Sequence, residues 1–210
     1  MKKKTKLLLI VLAAVLVLAA VCAVILRMNR GARTPVDNNP EPDVSGNSSV
    51  LVAYFTWSGH GQQMARWVAE ETGGELFRIV PEVSYGDDYS AVAERAKAEL
   101  DSQTRPALST HIDPAIMTQY DTIYLGFPIW WYDLPAPVWT FLEEYDLAGK
   151  TIIPFYSHAG SADGANSLNR LTALAEGATV LSDSAFSING NRVSGAEAKI
   201  KAWAASAARH

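Results

Sequence analysis

Residues 50–62 have the sequence VLVAYFTWSGHGQ, and this stretch decides the fold. Residues 50–55 are almost continuously apolar, which is typical of a β-strand that is covered on both faces of a sheet. Residues 56–62 follow with two hydroxyl side chains and two glycines. The amphipathic residues 62–72 predict a helix, and the glycines at 73 and 74 predict its end. The stretch therefore predicts a buried strand, a loop and a helix in succession.

The same alternation recurs along the rest of the chain. Further strands are predicted at residues 76–80, 122–127, 151–156 and 179–181. Further helices are predicted at residues 89–100, 135–145, 164–175 and 194–207. Five successive strand–helix units predict an α/β fold, with a doubly wound, five-stranded parallel sheet and helices on both faces. Pro154, inside the fourth strand, is unusual for a central strand because proline has no backbone N–H.

The loops at one edge of this sheet are the expected binding site. In doubly wound sheets, ligands bind outside the carboxyl ends of the strands, near the point where the strand order switches. The predicted first, third and fourth strands end at Phe55, Phe127 and Tyr156. We therefore expect the three loops that follow these residues to form the site.

The loop after the first strand has the features of an anion-binding loop. It consists of Thr56, Trp57, Ser58, Gly59, His60, Gly61 and Gln62. Glycines let backbone N–H groups turn towards an anion, and the N-terminus of the following helix favours a phosphate. The spacing is neither the dinucleotide fingerprint nor the P-loop. The alternative is an ordinary strand-to-helix turn in which Ser58 only caps the helix.

The other two loops suit a flat ligand. The loop after the third strand begins with Pro128, Ile129, Trp130 and Trp131. Aromatic side chains stack on planar rings, although these could instead pack beneath the next helix. We expect Trp130 to contact the ligand, because Pro128 and Ile129 lead the chain out of the sheet, and Trp131 to pack beneath the loop. The loop after the fourth strand contains small residues that allow close approach, in the run Ser157, His158, Ala159, Gly160 and Ser161.

Residues 1–30 predict a membrane anchor or a signal segment. Four lysines lie within residues 2–6, and residues 7–26 contain no charge, proline or glycine. A run of about 20 apolar residues can span a bilayer, whereas the apolar part of a cleaved signal peptide is about 7–15 residues long. Residues 19–22, Ala-Ala-Val-Cys, are similar to a lipoprotein cleavage box, so cleavage and lipidation stay open. The lysines favour an inside N-terminus, which predicts a single-pass transmembrane helix and an extracytoplasmic domain.

The remaining residues divide into a predicted flexible linker at 31–49 and a folded domain at 50–210. The linker is polar and contains three prolines. Residues 34–210 carry 22 acidic and 11 basic residues, a net charge of −11. Nucleic acids require a basic surface, so they are excluded as partners. The single cysteine, Cys22, lies in the predicted anchor, which excludes disulfides, a cysteine nucleophile and a cysteine metal site in the domain.

Residues 50–190 resemble the flavodoxin-like proteins, in particular a bacterial branch of that family. The resemblance is carried by four motifs, which are YFTWSG at 54–59, the tyrosines at 85 and 89, GFPIWW at 126–131 and GKTIIPF at 149–155. It implies non-covalently bound FMN, with residues 56 and 58–62 around the phosphate. It also implies that residues 128–131 and 157–161 flank the isoalloxazine ring. The chain departs from the branch at His60 and Gly61, where Asn-Thr is usual, and at Tyr132 and Ala159, where Gly is common.

The resemblance implies an electron-transfer flavoprotein at the membrane surface, with an unidentified redox protein or small acceptor as its partner. One alternative is an FMN-dependent NAD(P)H:quinone-type reductase. Another is a membrane-tethered binding module without flavin. A hydrolase that uses Ser58 and His158 is disfavoured, because residues 56–60 do not form a G-x-S-x-G nucleophile elbow. No catalytic residue and no metal site are predicted.

Overall fold

The computed structural model describes residues 44–160 and 164–207. Within them, the strands are β1 (Val50–Tyr54), β2 (Glu75–Arg78), β3 (Thr122–Pro128), β4 (Thr151–His158), β5 (Thr179–Val180) and β6 (Phe186–Asn189). The α-helices are α1 (His60–Thr72), α2 (Tyr89–Ser102), α3 (Pro114–Met117), α4 (Ala136–Glu144), α5 (Ala165–Leu174) and α6 (Glu197–Ala207). Two 3-10 segments occupy Ser182–Ser184 and Gly190–Gly195. The four-residue helix α3 was not predicted, because it is too short to show a helical period.

The strands form one parallel sheet in the order β2-β1-β3-β4-β5. This order confirms the predicted α/β fold with a parallel sheet. The prediction of five strands is wrong, because the position beside β4 is shared by two short strands. β5 pairs with the first two residues of β4, and β6 pairs with its last four.

Pro154 explains where this outer position is interrupted. β5 pairs with β4 as far as Ile152, and β6 pairs from Phe155 onwards. The backbone N–H of Leu181 donates to the carbonyl of Ile152 (2.9 Å), so alternate residues of β4 direct their backbone polar groups towards this side. The backbone polar groups of Pro154 face the same neighbouring strand as those of Ile152, but proline has no N–H to donate. The missing donor therefore lies opposite the break, where the chain forms the 3-10 segment Ser182–Ser184.

Side chains of β1 show how both faces of the sheet are covered. Leu51 and Ala53 pack into a cluster that includes residues of α2, α4 and α5. Val52 and Tyr54 point to the opposite face and pack with residues of α1 and α6. All four are fully buried. Because successive residues of a strand point to opposite faces, a continuously apolar strand requires a helical layer on each side.

The segment before β1 is held to the sheet by Glu75 of β2. The carboxylate of Glu75 accepts hydrogen bonds from the backbone N–H groups of Ser45 (2.6 Å), Gly46 (3.1 Å) and Asn47 (2.9 Å). It also accepts one from the hydroxyl of Tyr120 (2.7 Å). Residues 44–49 therefore differ from the predicted flexible linker. The rest of that linker and the predicted anchor, residues 1–43, lie outside the described residues.

No helix among residues 44–160 and 164–207 has both the length and the apolar character needed to cross a bilayer.

We predict that the Glu75→Gln substitution lowers stability at neutral pH and removes part of the acid sensitivity of the fold. Partial burial raises the pKa of Glu75, but the hydrogen bonds from Tyr120, Ser45 and Gly46 lower it more, from 4.5 to about 2. The carboxylate therefore stabilises the fold fully above about pH 4.5, and this contribution is lost as the pH falls towards 2. With solvent screening, the expected loss at pH 7 is about 1 kcal/mol.

Urea unfolding at pH 7 and at pH 3 measures this effect. Glu71→Gln, an exposed change on α1, is the matched control. The difference in the free energy of unfolding between wild type and Glu75→Gln should be smaller at pH 3 than at pH 7. An equal difference at the two pH values would contradict the role given to the carboxylate.

Candidate functional site

A groove of about 220 Å³ opens at the carboxyl ends of β1, β3 and β4. Six of the predicted site residues line it, namely Trp57, Ile129, Trp130, Trp131, His158 and Ala159. Four further lining residues come from α2, and one comes from the loop after β3; these are Tyr89, Val92, Ala93, Ala96 and Tyr132. The predicted site residues do not include these five. The available signals were Tyr132, which stands where Gly is common, the tyrosine pair 85 and 89, and the small alanines of α2, which leave room for a groove.

Thr56 shapes the loop between β1 and α1. Its side chain is buried, and its Oγ1 accepts hydrogen bonds from the backbone N–H groups of Gly59 (3.1 Å) and Gly61 (3.2 Å). Gly59 adopts a φ of 84°, a conformation that favours glycine. A Cβ at Gly61 would lie 2.8 Å from the carbonyl oxygen of Phe55. The two glycines therefore allow a tight loop that closes around the Thr56 hydroxyl.

Ser58 and His60 form a polar pair on this loop. The Oγ of Ser58 lies 3.1 Å from Nδ1 of His60. The His60 ring packs closely on Gly190, where a Cβ would come within 2.8 Å of Nδ1. The N-cap residue of α1 is Gly59, which has no side chain, and the N–H of Gly61 in the first turn donates to Thr56 rather than to Ser58. The alternative in which Ser58 only caps the helix is therefore wrong.

Trp57 connects the loop after β1 to the rim of the groove. Its Nε1–H donates to the carbonyl oxygen of Gly86 (2.8 Å), and its ring lies 6.2 Å from that of Tyr89 in a tilted arrangement. Gln62 is buried at the start of α1. The loop is thus continuous with the aromatic wall of the groove, so one ligand could contact both.

The aromatic loop after β3 forms a two-residue hairpin turn. Trp130 and Asp133 exchange backbone hydrogen bonds of 3.1 and 2.9 Å. The two central residues, Trp131 and Tyr132, have φ values of 49° and 63°. Both lie in the left-handed region, as a type I′ turn requires, at a cost of roughly 1–2 kcal/mol for each non-glycine residue. The turn presents both side chains at the mouth of the groove, where they are about half exposed.

Trp130 lines the groove, so its expected contact with a ligand stays a prediction, whereas Trp131 does not lie where it was predicted. The ring of Trp130 packs edge-on against Phe55 (5.2 Å) and Tyr85 (5.0 Å). Trp131 is 49% exposed, and its Nε1–H donates to the carbonyl oxygen of Ala93 on α2 (2.8 Å). The prediction that Trp131 packs beneath the loop is therefore wrong. The turn geometry accounts for the exposure of Trp131, because a residue with a positive φ at the centre of a hairpin turn directs its side chain away from the strands.

A buried polar group supports the wall behind Trp130. The hydroxyl of Tyr85 donates to Glu99, and Nε of Arg95 binds the same carboxylate at 2.7 Å. The guanidinium of Arg95 lies 3.9 Å from the centre of the Tyr85 ring. Burial and the neighbouring Glu99 raise the pKa of Tyr85 well above its usual value. Tyr85 therefore remains protonated and holds the edge of Trp130 in place.

The loop after β4 is joined to the loop after β3. The N–H of Ile129 donates to the carbonyl oxygen of Ser157 (2.9 Å), and Pro128 is the register partner of Ser157. The N–H of Gly160 donates to Nδ1 of His158 (2.9 Å). Because Ser58 pairs with His60 and His158 with Gly160, this arrangement does not support the hydrolase alternative. The predicted residue Ser161 lies outside the described residues.

The comparison with known proteins identifies the family. The family model described as Flavodoxin matches residues 49–205. The chain belongs to the flavodoxin family. No protein with a curated function matches it.

Solved structures of flavoproteins are similar to this chain. A candidate flavoprotein from Bacteroides uniformis is 34% identical, with a TM-score of 0.62, and the alignment covers 73% of this chain and 96% of that one. A second, from Bacteroides eggerthii, is 27% identical, with a TM-score of 0.58 and coverages of 73% and 98%. A flavoprotein from Lactobacillus acidophilus, solved in complex with FMN, is 22% identical, with a TM-score of 0.55 and coverages of 70% and 96%. At 22% identity, the similarity to the Lactobacillus acidophilus protein shows only that the two chains share a fold.

Tyr132 holds a φ of 63°, a conformation that favours glycine. Because φ is positive there, Tyr132→Gly is predicted to raise the free energy of unfolding by about 1 kcal/mol. Thermal or urea unfolding measures the change.

The matched control is Tyr89→Gly, since Tyr89 is also exposed but begins helix α2. Glycine in a helix is expected to lower stability there by up to about 1 kcal/mol. Equal losses in both variants would show that the turn at Trp131 and Tyr132 is not strained.

Proposed function

We propose that this site binds FMN non-covalently and that the protein transfers electrons through the bound flavin. The observation that carries the proposal is the continuity between a glycine-containing loop at the N-terminus of α1 and an aromatic groove at the same sheet edge. Membership of the flavodoxin family supports FMN as the cofactor, as predicted. The flavin would supply the redox chemistry, while the protein supplies binding, orientation and electrostatics.

The donor set of residues 56–62 fits a phosphate. The loop offers the hydroxyl of Ser58, the imidazole of His60 and backbone N–H groups, and it contains no carboxylate. The first turn of α1 also has no acidic side chain. The positive end of the helix dipole adds to this attraction for an anion. Thr56 contributes by closing the loop, because its Oγ1 accepts the N–H groups of Gly59 and Gly61 and so sets the backbone path around the remaining donors.

The groove fits a flat ring. Trp57 from the loop after β1 and Trp131 and Tyr132 from the loop after β3 all line it, together with His158 and Ala159 from the loop after β4. Aromatic walls favour stacking on a planar ligand. These residues and Trp130, which also lines the groove, would hold the isoalloxazine.

Titration of the purified protein with FMN and with riboflavin tests the proposal. Saturable binding of FMN, and much weaker binding of riboflavin, is expected because only FMN carries the phosphate. Failure of FMN to bind would contradict the proposal. Bleaching of the bound flavin by NADH or NADPH alone would favour the alternative of an NAD(P)H-dependent reductase over an electron carrier.

We predict that Ser58→Ala weakens FMN binding by about 10- to 100-fold, because a hydrogen bond to a charged phosphate contributes about 1.5–3 kcal/mol. Riboflavin affinity and the free energy of unfolding should change little. Thr56→Val, in contrast, is expected to weaken both FMN binding and the fold, since it removes the acceptor for Gly59 and Gly61.

Fluorescence titration and urea unfolding of each variant measure these effects. Ser102→Ala, which removes an exposed hydroxyl at the end of α2, is the control. If Ser58→Ala binds FMN with unchanged affinity, the hydroxyl of Ser58 does not contact the phosphate.

We propose that residues 7–26 anchor the chain as a single membrane span, with the flavodoxin domain on the extracytoplasmic side. The support is the uncharged run of 20 residues and the four lysines that precede it. This arrangement would confine electron transfer to the membrane surface.

Alkaline extraction and protease treatment of intact spheroplasts test this placement. The chain should stay with the membrane at alkaline pH, and external protease should digest the domain. Release of the full-length chain by alkali, or protection from external protease, would contradict the proposal.

A further inference from the structure

The aromatic turn of Trp131 and Tyr132 needs an anchor outside itself. Both residues hold the left-handed conformation without being glycine. Only the two backbone hydrogen bonds between Trp130 and Asp133 close the turn. Residues in this conformation persist only when surrounding contacts hold them.

Arg170 of α5 supplies such an anchor through Asp133. Its Nε lies 2.9 and 2.8 Å from the two carboxylate oxygens of Asp133, and its terminal nitrogen lies 2.8 Å from Oδ2. The same carboxylate accepts the N–H of Leu134 (2.7 Å). Paired contacts of this kind fix the direction of a carboxylate as well as its distance. They therefore fix the residue at which the turn closes.

The orientation of Arg170 is itself fixed by Trp139. The guanidinium carbon of Arg170 lies 4.5 Å from the centre of the Trp139 ring, which is fully buried in α4. On the other side of the groove, the Nε1–H of Trp131 binds the carbonyl oxygen of Ala93. The turn is thus held by α5 at its base and by α2 at its tip.

We propose that Arg170 is a positioning residue for the flavin groove, which through Asp133 sets the orientation of Trp131 and Tyr132. The part of this inference that concerns FMN binding rests on the proposed function. The pair also connects α5, the helix that follows the β4 loop, to the loop after β3. The ion pair therefore ties the loop after β3 to a helix rather than to another loop.

Arg105 provides a matched control for Arg170. Its guanidinium carbon also lies over the Trp139 ring, at 4.7 Å, and it makes a two-bond pair with Glu143. Both arginine side chains are 34% exposed. Arg105 does not line the groove or contact the turn. A difference between the two arginines therefore isolates the contact with Asp133 from general effects on packing.

The experiment uses the full-length protein as wild type, Arg170→Gln, Arg170→Lys and Arg105→Gln. FMN affinity, quenching of flavin fluorescence and thermal stability are measured for each. Arg170→Gln is expected to weaken FMN binding about tenfold, equivalent to about 1.4 kcal/mol, and to reduce quenching. Arg170→Lys, which keeps the charge but cannot make the paired contact, should restore only part of the affinity. Arg105→Gln should stay within about twofold of wild type.

A second readout needs no flavin. In protein labelled with 15N-tryptophan, hydrogen exchange of the Trp131 indole N–H reports whether its bond to Ala93 stays closed. Exchange should be about tenfold faster in Arg170→Gln and unchanged in Arg105→Gln. If Arg170→Gln does not fold, Arg170→Lys is used for both readouts.

Equal effects of the two glutamine variants on affinity and exchange would overturn the proposal, as would unchanged exchange in Arg170→Gln. If wild-type protein does not bind FMN, the proposed function fails, and the indole exchange alone decides the role of Arg170.

Discussion

The packing of Phe155 against Gly126 is the contact on which the geometry of the site depends. Gly126 lies in the central strand β3 and is the register partner of Tyr54 in β1 and Phe155 in β4. A Cβ at Gly126 would lie 2.4 Å from the Phe155 ring and 3.1 Å from the Cβ of Tyr54. Only glycine leaves this space to the ring, so the three strands stay aligned at the point where their loops begin. Those loops then emerge side by side and can share one ligand.

The aligned loops are joined by a small number of specific contacts. Thr56 closes the loop after β1, the bond from Ile129 to Ser157 joins the loops after β3 and β4, and Trp130 packs between Phe55 and Tyr85. The result is a groove whose walls are held by contacts from several elements. The proposed flavin site requires such a preorganised position for the ring, because the redox chemistry would belong to the flavin.

Strands β1 to β5 and the sheet edge at which the groove lies could be predicted from the sequence, because both follow from local patterns. The apolar residues 50–55 and 122–127 mark buried strands without any knowledge of their neighbours. Topology then places the ligand at the carboxyl ends of the strands. The phosphate and ring contacts expected for individual residues, Ser161 among them, stay predictions.

Features that depend on tertiary contacts could not be predicted. To predict the break between β5 and β6, one must know which neighbouring strand the backbone of Pro154 faces. The sequence alone does not show this. The turn at Trp131 and Tyr132 lacks the Gly or Asn that normally marks a positive φ, so the exposed position of Trp131 could not be predicted. The contribution of Ala93 and Ala96 appears only when α2 packs beside the turn.

Mapping of backbone amide chemical shifts during a titration with FMN tests the central claim most directly. The account predicts saturable shifts concentrated in residues 56–62, 128–132 and 157–160, at the carboxyl edge of the sheet. Shifts confined to the opposite edge, around residues 121 and 149–150, or no saturable shifts at all, would contradict it.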